Sequence, residues 1–97
     1  MRKNSFIIRS RLRNYMRKYT NNEYILDICM RVSGQMVGFI CTDENNFYKE
    51  DRQFMKNLKK IPNERIDSFA LSMQHEYVGK EVKRIIKAVK DDLRSMA

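Results

Sequence analysis

The fold turns on residues 20–41, TNNEYILDICMRVSGQMVGFIC, in a chain of 97 residues. Ile25, Ile28, Cys29, Val32, Met36, Phe39 and Ile40 recur at helical spacing, and Leu26, Met30, Val37 and Cys41 form a second stripe about 120° away at ~100° per residue. Two stripes predict a helix over about 21–41, covered on most of its circumference and serving as the spine of the molecule. Thr20 and Glu23 have the spacing of a capping box, which sets the expected start. Asp27 and Arg31 interrupt the apolar run, and the uncharged stretch from Val32 to Thr42 is far shorter than the ~20 residues a membrane span requires. Gly34 and Gly38 weaken helix propensity, so a short strand near 36–41 is the competing reading.

Working outward, Asn21-Asn22, the cluster Thr42–Asn46, Pro62-Asn63 and Gly79 punctuate the chain. Ile8, Leu12, Tyr15, Met16 and Tyr19 predict a first helix over about 5–19, with a strand start at Ser5–Ile8 as its competitor. Phe47, Phe54, Met55, Leu58 and Ile61 predict a third over about 44–60, ended by Pro62. Asn63 is the expected N-cap of the next helix, whose stripe is Ile66, Phe69, Ala70, Met73 and Tyr77. Val82, Ile85, Ile86, Val89, Leu93 and Met96 make a fifth stripe out of phase with the fourth, which predicts a break or kink at Gly79. Three glycines and one proline disfavour an all-β sandwich or barrel. The expectation is a single all-α domain over residues 1–97: a compact bundle of four to five short helices around a buried central one.

Twenty Lys and Arg against twelve Asp and Glu give a formal charge of +8. The charge is segregated: residues 1–20 carry +7, residues 21–51 carry −4 and residues 52–97 carry +5. Arg9, Arg11, Arg13 and Arg17 fill the first segment; Lys56, Lys59 and Lys60 lie on the third helix opposite its apolar stripe. Lys80, Lys83, Arg84, Lys87, Lys90 and Arg94 line the back of the fifth. Any amphipathic helix needs a polar face, but three basic segments with few acids among them point to phosphate contacts, which gain from counterion release. Phe6, Tyr15 and Tyr19 among the arginines have the interleaving used on single strands, although the two tyrosines also fit the core stripe.

These features predict a small basic accessory protein that binds nucleic acid, RNA before DNA. The alternative is an inhibitor or adaptor that docks on an acidic protein or on a nucleic-acid enzyme. A motif-poor chain rich in isoleucine, lysine and asparagine resembles in general character the accessory proteins of phages and mobile elements. Gly34 and Gly38 have the small-xxx-small spacing of close helix contact, a candidate homodimer interface.

No catalytic, metal or cofactor site is expected. His75-Glu76 begins an HExxH pattern, but Gly79 stands where the second histidine belongs. Cys29 and Cys41 are too few for a disulfide framework or, with His75, for a zinc site, so a reducing, cytoplasmic setting is expected. Arg9, Arg11 and Arg13 exclude a secretory h-region at the start of the chain; the same stretch shares its Arg-rich, acid-free character with mitochondrial targeting segments, against which a folded basic helix is the preferred reading.

Overall fold

The computed structural model describes residues 10–40 and 51–96. They form five helices, α1 (Ser10–Met16), α2 (Glu23–Ile40), α3 (Asp51–Leu58), α4 (Asn63–Leu71) and α5 (Glu76–Ser95), with no strand among the described residues. Helix α2 continues through residue 40, so the competing strand does not form over 36–40. The expected helix starts at 5 and 44, the candidate strand at Ser5–Ile8, and Cys41 lie outside the described residues.

Helix α2 packs against all four others and is the spine of an all-α bundle. Ile25, Leu26, Cys29, Val32, Met36 and Val37 are buried along it, while Tyr24, Asp27, Arg31, Gln35 and Gly38 keep one side open to solvent. Leu12 and Met16, four residues apart, carry α1 into the core; Phe54 and Leu58 do the same for α3, and Ile66 for α4. Helix α5 buries Val82, Ile85, Ile86, Val89 and Leu93 in one stripe. Each such side chain stabilises the fold by roughly 1.5–3 kcal/mol through removal of apolar surface from water. Met96 and Tyr77, expected on these stripes, are exposed instead.

Three local expectations are corrected. The cap of α2 is Asn22, not Thr20: its Oδ1 accepts the backbone N–H of Tyr24 at 2.9 Å and of Ile25 at 3.2 Å. Thr20 Oγ1 instead accepts the N–H of Asn22 at 3.1 Å, tightening the turn one step upstream. Asn63 does not cap α4, because Pro62 holds the cap position in extended geometry (φ −68°, ψ 148°) with no side-chain cap bond. Its side chain is used elsewhere: Lys90 Nζ donates to Asn63 Oδ1 at 2.5 Å and to the carbonyl oxygen of Ile61 at 2.7 Å.

The third correction concerns Gly79. The chain breaks over 72–75, where Ser72 donates its N–H to Ser68 and Phe69 and its Oγ–H to Phe69, before α5 begins at Glu76. Gly79 lies inside α5 and is buried against α4; a Cβ there would sit 2.6 Å from the carbonyl oxygen of Ala70. Its role is close approach of two helices, which explains why a helix-weakening residue lies within a 20-residue helix.

Candidate nucleic-acid interface

Helical spacing along α1 and into the turn that follows it places Arg11, Asn14, Tyr15 and Lys18 on one side, at i, i+3, i+4 and i+7. Buried Leu12 and Met16 fix which side that is. Helix α3, anchored by Phe54 and Leu58, and the turn after it turn Met55, Lys56 and Lys59 toward the same space. Leu93 and Met96 from the end of α5 close it. The result is a groove of about 600 Å³. Arg11, Lys18, Lys56 and Lys59 carry its charge; Tyr15, Met55, Leu93 and Met96 are its apolar lining, and no carboxylate is among the described residues that line it. Tyr15 donates its hydroxyl to Met96 Sδ at 3.1 Å, and the Lys18 ammonium lies 5.1 Å from the Tyr15 ring centroid. Lys56 and Lys59 have no ion-pair partner among the described residues.

The other cations singled out in the sequence are placed differently. Arg13 reaches Asp27 at 2.8 Å and Glu23 at 3.3 Å, and Arg17 reaches Glu23 at 2.5 Å, so α1 and the start of α2 neutralise each other. The Arg17 hydrogen bond draws the Glu23 carboxyl below its ordinary range, and the bond to Asp27 raises Arg13. On α5, Lys80 pairs with Glu76 at 3.7 Å, Arg84 with Glu81 at 2.7 Å and Lys87 with Asp67 at 2.7 Å. Arg84 also donates to the Tyr19 carbonyl at 3.1 Å, and its contact lowers the Glu81 carboxyl. Lys87 lowers Asp67 in the same way.

Lys90 does not belong to the basic back of α5. It is 3% exposed, and its ammonium is committed to Ile61 and Asn63. Burial draws it below the ordinary lysine range, with Arg94 and Lys87 adding to the effect. Lys60 and Arg94 are exposed, and Lys83 is half-buried. Gly34 is half-buried and Gly38 exposed, while Arg9 and Phe6 lie outside the described residues.

Tyr19 packs against the core and donates its hydroxyl to Asp92, which raises its pKa. His75 is exposed at the start of α5. Burial pushes the Cys29 thiol up to about 12, an inert state for a nucleophile. Among the described residues no three His, Cys, Asp or Glu side chains converge as metal ligands, and no helix is long and apolar enough to cross a membrane.

Of the cations singled out in the sequence, Arg11, Lys56 and Lys59 line the groove; Lys18, Asn14, Met55, Leu93 and Met96 line it as well and were not singled out as binding residues. The helical spacing of Arg11, Asn14, Tyr15 and Lys18 is a usable signal in α1 and the turn after it. Which face of α3 it would meet depends on packing that no local pattern encodes. No protein-family model, characterised protein or solved structure matches this chain.

Proposed function

We propose that this is a small nucleic-acid-binding accessory protein, not an enzyme, which engages RNA before DNA through the groove between α1, α3 and the end of α5. The observation that carries the reading is the convergence of Arg11, Lys18, Lys56 and Lys59 on one groove with no carboxylate among the described residues that line it. Phosphates placed along such a rim release condensed counterions, and the gain rises with the number of contacts. The aromatic and thioether lining suits unstacked bases better than a regular duplex, and RNA is put before DNA because its loops and bulges commonly present such bases. A cytoplasmic setting accords with the buried, unpaired Cys29 thiol.

The test is binding of a generic RNA across a salt titration. Three phosphate contacts to a single strand, from Lys18, Lys56 and Lys59, give a log–log slope of roughly −2. A slope near zero, or no binding at low salt, overturns the reading.

Docking of an acidic protein is the second reading, and it has its own support. Tyr24 and Tyr77 are strongly exposed, and tyrosines are enriched among the side chains that anchor protein interfaces; Leu71, 86% exposed, adds apolar surface. A partner of that kind would bind with an association rate sensitive to salt, while RNA would not compete. Self-association through Gly34 and Gly38 is a separate proposal, tested by the mass of a Gly34→Leu variant in light scattering.

A further inference from the structure

Resting on the nucleic-acid reading, we infer that the groove takes an unpaired nucleobase, so that the ligand is a single strand whose base lies against Tyr15 while its phosphates lie on the lysine rim. A purely electrostatic surface needs no concavity: phosphates bind cations that stand on a convex face. Here the cations ring a hollow whose lining includes an aromatic ring, two thioethers and a leucine, Tyr15, Met55, Met96 and Leu93. A polyanion carrying flat, weakly polar groups at regular intervals complements both parts, and single-stranded nucleic acid is that polymer.

In a duplex the bases are stacked inward and would leave the apolar lining uncovered unless one were extruded. The lining is accessible, since Met96 is 64% exposed and Tyr15 half-buried. Its two thioethers are flexible and polarizable, suited to flat rings of differing outline, which favours base stacking without sequence selection. Lys18, which lies over the Tyr15 ring, can exchange that contact for a phosphate when a base arrives.

The experiment compares three probes at equal low salt: single-stranded oligouridylate of about 12 nucleotides, an RNA duplex of the same length, and inorganic polyphosphate. Binding is read by anisotropy or competition, and by the protein's own tyrosine fluorescence, since the chain has no tryptophan. The single strand is expected to bind at least ~10-fold more tightly than either other probe. Tyr15→Leu, which keeps apolar bulk beside the core, is expected to weaken the single strand at least ~5-fold and leave polyphosphate unchanged.

Met96→Glu provides a second variant at an exposed position, with loss for the single strand expected and helicity checked by circular dichroism. Equal binding of all three probes, indifferent to Tyr15→Leu, overturns base insertion while the nucleic-acid reading stands. A preference for the single strand that neither variant alters overturns this groove as its seat. Failure of all three probes to bind overturns both inferences.

Discussion

The outer face of α5 and the groove between α1 and α3 hold similar kinds of positive charge, yet they are built in opposite ways. On α5, Lys80, Arg84 and Lys87 each have a carboxylate within 4 Å, at 3.7, 2.7 and 2.7 Å, and Lys90 is folded inward. Around the groove, neither a partner for Lys56 or Lys59 nor an acid lining the space they share with Arg11 and Lys18 is found among the described residues. Exposed ion pairs add little stability, but they cancel the local field that would draw a polyanion. The contrast teaches that a run of lysines in sequence measures charge, whereas attraction depends on which carboxylates the fold brings beside them. Lys80, Arg84, Lys87 and Lys90 accordingly serve the structure, while Lys83 and Arg94 stand on α5 apart from the groove, where Lys18, Lys56 and Lys59 share one space.

The sharpest check on the structural half is Lys90→Ala. It leaves the Ile61 carbonyl and Asn63 Oδ1 without their donor and empties the space of a buried stem, so a loss of about 3 kcal/mol is expected in denaturant unfolding. Lys90→Met keeps the stem and should lose less. Because the folded pKa of Lys90 is depressed, the unfolded chain holds the extra proton between that value and 10.5. Parent stability relative to Lys90→Met should therefore rise with pH through this alkaline window. A Lys90→Ala protein as stable as the parent would return Lys90 to the surface and weaken the contrast.

Gly79→Ala comes next. The added methyl would stand 2.6 Å from the Ala70 carbonyl oxygen, a backbone atom that cannot move alone. Overpacking outweighs the ~1 kcal/mol gained in helix propensity, for an expected net loss of about 1–2 kcal/mol in thermal unfolding. An alanine variant with a higher melting temperature would show that α4 and α5 do not approach so closely.

For the groove itself, Lys56→Gln with Lys59→Gln removes two unpaired charges. The expected result is a loss of at least ~10-fold in RNA affinity at low salt and a slope flatter by about 1.4. Lys80→Gln with Lys87→Gln removes the same formal charge and should cost less than ~3-fold with the slope unchanged, since those cations are already paired. Equal losses in the two double variants, measured by anisotropy across a salt titration, would erase the distinction between the surfaces.

The helices were legible because their information is local. Leu12 and Met16, Phe54 and Leu58, and the α5 stripe all follow from spacing of 3.6 residues, and α2 declared itself by its apolar density. What escaped were pairings between segments distant in the chain. Asn63 had the composition of a cap, but Lys90, 27 residues away, claimed its oxygen. Gly79 read as a break because its cost in a helix is local, while its benefit lies in Ala70 on a different helix. The charge census failed likewise: Glu23 and Asp27 were counted with an acidic segment, whereas in space they neutralise Arg13 and Arg17.

The smallest effect expected is also the finest test of the comparison. Arg84 is half exposed, yet it joins α5 to the α1–α2 turn through the Tyr19 carbonyl at 3.1 Å and holds Glu81 at 2.7 Å. Arg84→Gln should therefore cost no more than about 1 kcal/mol in stability, the range of a screened surface pair with one additional hydrogen bond. Its effect on RNA affinity should stay within ~2-fold, because the guanidinium is already satisfied and stands outside the groove lining. Lys56→Gln, a single neutralisation of the same size, should lower affinity by ~3-fold or more and flatten the slope by about 0.7. Measured side by side at several salt concentrations, the two variants separate a cation that holds the fold from one that awaits a phosphate. If Arg84→Gln flattens the slope as much as Lys56→Gln does, α5 contacts RNA in spite of its ion pairs, and the carboxylates beside it yield to phosphate on binding.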